Sequence, residues 1–192
     1  MPRIETETLA QHRDWRRNQL IEAAASIAIE SGGAAITVAA VAQRAGLSRT
    51  SVYEYFGSSA DLIADLVLEE LNNFAHYLQE AVAHTDQPLA SIEAWIESAL
   101  TYIADGRHLL AKALNATSLP QERTAAIGAA HRALLAPLVT GLTAMGVKDT
   151  QRALLFIQAI TDASTKRIEA GHDAEGEIAY ATTFCINGLT LN

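Results

Sequence analysis

From Thr37 to Gly57 the chain reads TVAAVAQRAGLSRTSVYEYFG, and no other stretch constrains the fold as tightly. Two short runs of helical periodicity flank Gly46, the residue type that most easily takes a left-handed turn. With Val38 as the first position of a twenty-residue unit, Val41 and Ala45 face inward on the first run and Ala42 is small where the two helices cross. Leu47, Val52 and Tyr55 then return inward on the second run. The pattern predicts a helix-turn-helix. It leaves Arg49, Thr50, Tyr53 and Glu54 pointing outward, with Ser48 at the N-terminus of the second helix. Such a terminus offers free N–H groups and partial positive charge. The hydroxyls of Ser48, Thr50 and Ser51 are suited to phosphates, and Arg49 to base edges or backbone. The same spacing also arises in alanine-rich helix pairs that bind no DNA.

The rest of the chain predicts an all-α protein. Alanine and leucine fill 59 of 192 positions, against 4 Pro and 11 Gly, a composition that favours helix over strand. Punctuation divides the chain into nine helices. The first spans 15–31, after a mobile arm over 1–14 whose Arg3 and Arg13 are placed to brush phosphates; the next two span 38–45 and 49–56. A long helix begins at Ser58 or Ser59. Others follow over 88–105, 108–116, 120–145, 149–171 and 174–189, with Pro137 expected to bend the seventh. The domain reading places a DNA-binding module at 1–57 and a helical ligand-binding and dimerisation body at 58–192.

Charge is divided unevenly. Of the net −8, residues 1–60 contribute zero, with six arginines and six acids, so residues 61–192 carry the whole deficit. A neutral N-terminal module on an acidic body is compatible with a polyanion at the first module only. The single cysteine, Cys185, excludes an internal disulfide and reads as inert packing. No secretory signal and no run of about 18 uninterrupted apolar residues is found, so the expectation is a cytoplasmic chain with no membrane role. The six histidines have no i, i+4 pairing, and no nucleophile elbow, phosphate loop or zinc motif occurs. Neither metal, cofactor nor catalysis is expected.

The segment Arg17–Leu62 carries R-N-Q-L-I-E-A-A, a glycine after the first helix, T-V-A-A-V-A, A-G-L-S and S-V-Y-E-Y-F-G-S. It resembles the DNA-binding domain of tetracycline-repressor (TetR) type transcriptional regulators, and the length and acidic helical remainder agree with that family. The resemblance implies a homodimeric bacterial repressor released from a palindromic double-stranded DNA operator by a small effector, with dimer contacts through the last two helices. It implies that Thr37 and Tyr55 hold phosphates, that Arg49, Thr50 and Tyr53 face the groove, and that Arg17 supports the first helix on the backbone. Two departures are visible. Ser59 and Ala60 stand where the family usually has a lysine and an acid, and Glu54 puts an acid on the recognition helix. The alternatives are a helical interaction protein or an activator without small-molecule induction.

For the effector, the expected lining is Phe74, Trp95, Tyr102, His131, Phe156 and Asp162, favouring a mostly apolar or aromatic molecule. Asp162 adds a preference for a cationic or hydrogen-bond-donating one. Residues 149–171 are apolar nearly all round and pair with Ile178, Ala181, Phe184, Cys185 and Gly188 as the expected two-fold interface.

Overall fold

The computed structural model describes residues 9–114 and 120–190. Among these, nine α-helices form: α1 (Leu9–Ser31), α2 (Val38–Ala45), α3 (Arg49–Tyr53), α4 (Ser59–Val82), α5 (Pro88–Ala104), α6 (Leu109–Leu114), α7 (Thr124–Ala144), α8 (Thr150–Glu169) and α9 (Ala174–Thr190). Short 3₁₀ turns lie at Gly33–Ala35 and Gln121–Arg123, and no strand occurs among the described residues. Three boundaries differ most from expectation, one of them the start of the seventh helix, which lies at Thr124 after a 3₁₀ turn at Gln121–Arg123 and not at Pro120. Residues 9–14, read as part of a mobile arm, are helical, because alanine, glutamine and arginine sustain the helix once α1 is anchored further on. The third helix stops at Tyr53, where Tyr55 and Phe56 both turn back to the Val52 carbonyl.

The chain packs as two compact units, and the division falls inside α4. The first gathers the described parts of 1–70 and 110–127. Its core joins Leu20, Ala24 and Ile27 of α1, Val41 and Ala42 of α2, Val52 of α3, Phe56 of the loop that follows, Leu62 and Leu66 of α4, and Leu114 of α6. Each fully buried leucine there contributes about 1.5–3 kcal/mol of transfer free energy.

The second unit gathers 71–109 and the described part of 128–192. Helix α5 is its centre, burying Ile92, Trp95, Ile96, Ala99, Leu100 and Tyr102 and packing on α8 and α9. Leu138 and Leu142 of α7, Leu154 and Ile157 of α8, and Ala181 and Cys185 of α9 complete the cluster. The helix that reads as apolar all round is only half covered. Leu154, Ile157, Thr161 and Ser164 are buried, whereas Leu155, Phe156, Ala159 and Ala163 are exposed. On α9, Tyr180 and Phe184 are exposed too.

One stretch, Gln121–Ala144, is by length and composition alone apolar enough to cross a membrane, with a mean hydropathy of 1.3 in its best window. It escapes a search for uninterrupted apolar runs because His131 and Arg132 fall inside it.

Candidate nucleic-acid interface

Each end of the helix-turn-helix is fixed by a side chain. Thr37 caps α2, its hydroxyl accepting from the Ala40 N–H at 3.1 Å, which satisfies a donor that the helix itself leaves unpaired. Gly46 closes α2 at φ 67°, and the Leu47 N–H returns to the Ala42 carbonyl at 2.9 Å. Nothing lies within 4 Å of where its Cβ would be, so the backbone angle alone demands glycine. Ser48 caps α3 by accepting from the Ser51 N–H at 3.1 Å, and the two hydroxyls lie 2.9 Å apart. Val52, fully buried, pins the helix to the core.

With Val52 inward, Ser48, Arg49, Thr50, Tyr53 and Glu54 stand exposed. Tyr53 is 57% exposed, an aromatic that packing does not account for. Ser51 is half-buried. Tyr55 is half-buried against the core. Arg17 sits elsewhere than on an open face: its guanidinium bonds Asp65 of α4 at 2.6 Å and lies 5.7 Å from the centre of the Phe56 ring. Nothing in the sequence pattern pairs residues 17 and 65, 48 positions apart.

Helix α2 is further held by Arg44, which donates two hydrogen bonds to Glu30 of α1 at 2.7 and 2.6 Å. Those hydrogen bonds keep the Glu30 carboxyl below its ordinary range. His12 and Arg13 of α1, with Glu54 and Tyr55, line an open depression of about 350 Å³.

In the second unit, two of the six residues expected around an effector meet directly. Phe74 and Tyr102 stack at 4.2 Å. Tyr77, one helical turn beyond Phe74, joins at 5.4 Å from Tyr102, and Arg107 lies 4.5 and 4.4 Å from the centres of the two tyrosine rings. Arg107 reaches there because α5 ends at a left-handed Gly106 and the Arg107 N–H returns to the Tyr102 carbonyl. Trp95 belongs to the packed core, its indole N–H donating to the Leu134 carbonyl at 2.9 Å. The other three do not join them. His131, Phe156 and Asp162 are exposed, Phe156 by 63%, on the faces of α7 and α8 that turn away from the core. The helical period assigns a residue to a face of its own helix, but not which neighbour covers that face. Among the described residues, no group of three or more His, Cys, Asp or Glu is placed to hold a metal ion.

Residues 20–66 match the family described as bacterial regulatory proteins, tetR family. A transcriptional regulator, BetI of Brucella anthropi, is 33% identical over 96 residues, 50% of this chain and 46% of that protein. A transcriptional activator, FasR of Mycolicibacterium smegmatis, is 28% identical over 91 residues, 47% of this chain and 42% of that protein. The chain thus spans less than half the length of either relative. The structure of the regulator FadR from Bacillus subtilis in complex with stearoyl-CoA superposes with a TM-score of 0.73, covering 89% of this chain and 98% of that one at 21% identity. At that identity the superposition speaks to the fold, while residues 20–66 carry the sequence signature of the helix-turn-helix just described. Residues 20–66 thus form a helix-turn-helix segment similar to that of the tetR family of bacterial regulatory proteins.

Proposed function

We propose that the protein is a homodimeric transcriptional regulator of the cytoplasm that binds a palindromic DNA operator through α3 and answers to a small effector in its second unit. The observation that carries this reading is the short α3, capped by Ser48 and pinned by Val52, with Arg49, Thr50 and Tyr53 all on its open face. A helix of that kind fits the major groove, with Thr37, Ser48, Ser51 and Tyr55 near the phosphates and Arg49, Thr50 and Tyr53 toward the bases. Arg17, engaged by Asp65, supports α1 on the backbone only indirectly. The working boundary after Gly57 separates the DNA-reading residues from the remainder.

Two half-sites about 34–36 Å apart require two copies. The uncovered faces of α8 and α9, carrying Leu155, Phe156, Tyr180 and Phe184, favour pairing through those helices. For the effector, the Phe74, Tyr77 and Tyr102 cluster with Arg107 offers aromatic surface and a cation together. An effector there would be apolar or aromatic, and acidic rather than cationic. The FadR relative in complex with stearoyl-CoA supports an apolar, anionic class. A relative named as an activator makes activation the second reading.

The test is a gel-shift assay with the DNA upstream of the protein's own coding sequence. Retardation by the parent, lost in Tyr53→Ala, supports the reading; parent and variant behaving alike over the whole titration overturns the role of α3.

A further inference from the structure

We propose that the first turns of α1 form a second DNA-contact element, in which Arg13 and Arg16 hold backbone phosphates beside the recognition helix. This rests on the DNA reading above. It adds residues that lie outside the 20–66 stretch matched to the family.

Much of the positive charge in the first unit is already engaged. Arg44 is held by Glu30 through two hydrogen bonds, and Asp65 takes both Arg17 at 2.6 Å and Arg123 at 3.1 Å. Among the described residues, Arg13, Arg16 and Arg49 form no ion pair with a carboxylate. Helix α3 and its C-terminal cap carry one cation, Arg49, and one acid, Glu54, so the recognition helix brings no net charge to the duplex. DNA presents about one negative charge per 1.7 Å of axis, and affinity at physiological salt depends on neutralising several of them. Arg49 alone supplies too little.

Helix α1 supplies the rest. It begins at Leu9, whereas its buried core residues begin at Leu20, and none of residues 11–16 is buried in the described core. Arg13 and Arg16 are one turn apart on the same face. Arg16 lies 5.4 Å from the Trp15 ring, which is itself 43% exposed, so the guanidinium is held at the surface. The position of this segment decides the matter. His12 and Arg13 share one open depression with Glu54 and Tyr55, which sets the start of α1 against the C-terminal end of α3. A duplex lying along α3 therefore meets Arg13 where it also meets Glu54, and the arginine offsets the repulsion of the acid.

The full-length protein, the double variant Arg13→Gln/Arg16→Gln and the charge-keeping Arg13→Lys/Arg16→Lys are titrated by anisotropy. The probes are the upstream duplex and a mixed-sequence duplex of the same length, across a range of salt concentrations. The glutamine variant is expected to lose affinity for both duplexes by the same factor, about tenfold or more near 0.1 M salt. Its log–log salt slope should become shallower by about 0.9 per phosphate contact removed. The lysine variant keeps the parent slope. An unchanged slope in the glutamine variant, or a loss confined to the upstream duplex, overturns the element and leaves α3 standing. A parent that binds neither duplex at low salt overturns both readings together.

Discussion

Asp65 of α4 joins Arg17 of α1 at 2.6 Å, with its own side chain only 13% exposed. A second arginine, Arg123, reaches the other carboxylate oxygen at 3.1 Å. One acid therefore ties three segments of the first unit together, far apart in sequence. Both arginines are more than a third exposed, so solvent screens much of the attraction. Asp65→Asn is expected to lower stability by about 1–2 kcal/mol, because the amide can satisfy one donor but leaves two guanidinium groups facing each other. Chemical denaturation measures this, and a loss under about 0.3 kcal/mol would show the cluster to be neutral.

Gly141 is the tightest point in the second unit. A Cβ there would stand 2.9 Å from Cγ1 of the fully buried Ile92 and 3.3 Å from the Pro88 carbonyl oxygen. Alanine gains about 1 kcal/mol of helix propensity at such a position. The clash with a core side chain and a backbone oxygen outweighs that gain, so Gly141→Ala should destabilise by a net 1–2 kcal/mol or so. Thermal unfolding decides it, and a raised midpoint would mean that α5 and α7 have room to part.

How much of this was legible in the sequence depends on which physical rule each residue obeys. Thr37, Gly46, Ser48 and Val52 obey local rules of capping, turn conformation and helical period, and they stand as the sequence predicts. Asp65 and Gly141 act through partners 48 and 49 positions away, Arg17 and Ile92, which no local rule couples. Phe156 shows the same limit from the other side. Its period on α8 marks it as apolar, yet its neighbours Leu154 and Ile157 take the buried face, and it is left open. The end of α5 was partly readable, since a glycine after a helix predicts the left-handed turn that returns Arg107 over Tyr102.

Trp95 tests whether the core of the second unit is solid around α5. Its ring is 5% exposed and its N–H donates to the Leu134 carbonyl, one residue beyond the Ala133 carbonyl that Pro137 cannot serve. Trp95→Ala should cost about 3–5 kcal/mol, and Trp95→Phe about half as much, since phenylalanine fills most of the space but loses the hydrogen bond. A cost below about 1 kcal/mol for the alanine variant would place Trp95 at a cavity wall instead.

Two carboxylates make stability fall with acid. Glu30 is held below its ordinary value by hydrogen bonds from Arg44, and Glu177 by a hydrogen bond from Arg167. A carboxyl with a lowered folded value contributes fully above its unfolded value near 4.5, and the contribution disappears as pH falls through the folded value. Glu30→Gln/Glu177→Gln should therefore melt below the parent at pH 7 and draw level with it under acid conditions. Curves that stay parallel from pH 7 down to strongly acid solution would contradict this.

The last prediction concerns the uncovered faces of α8 and α9. Leu155 and Phe156 are 64% and 63% exposed, Tyr180 and Phe184 are 70% and 55%, and the latter two rings stack at 6.2 Å. Spaced at helical intervals beside the exposed Ala159 and Ala163, they form an apolar surface that the proposed pairing would cover with a second copy. Because these rings are already exposed within one chain, truncating one removes little intramolecular packing. Phe156→Asp should leave the chain's helical content intact, yet weaken self-association by a hundredfold or more, since a carboxylate buried without a partner opposes assembly. Light scattering at micromolar concentration is expected to give twice the 20.5 kDa chain mass for the parent and the single mass for the variant. A parent that runs as a monomer would remove the pairing, and with it the two half-sites.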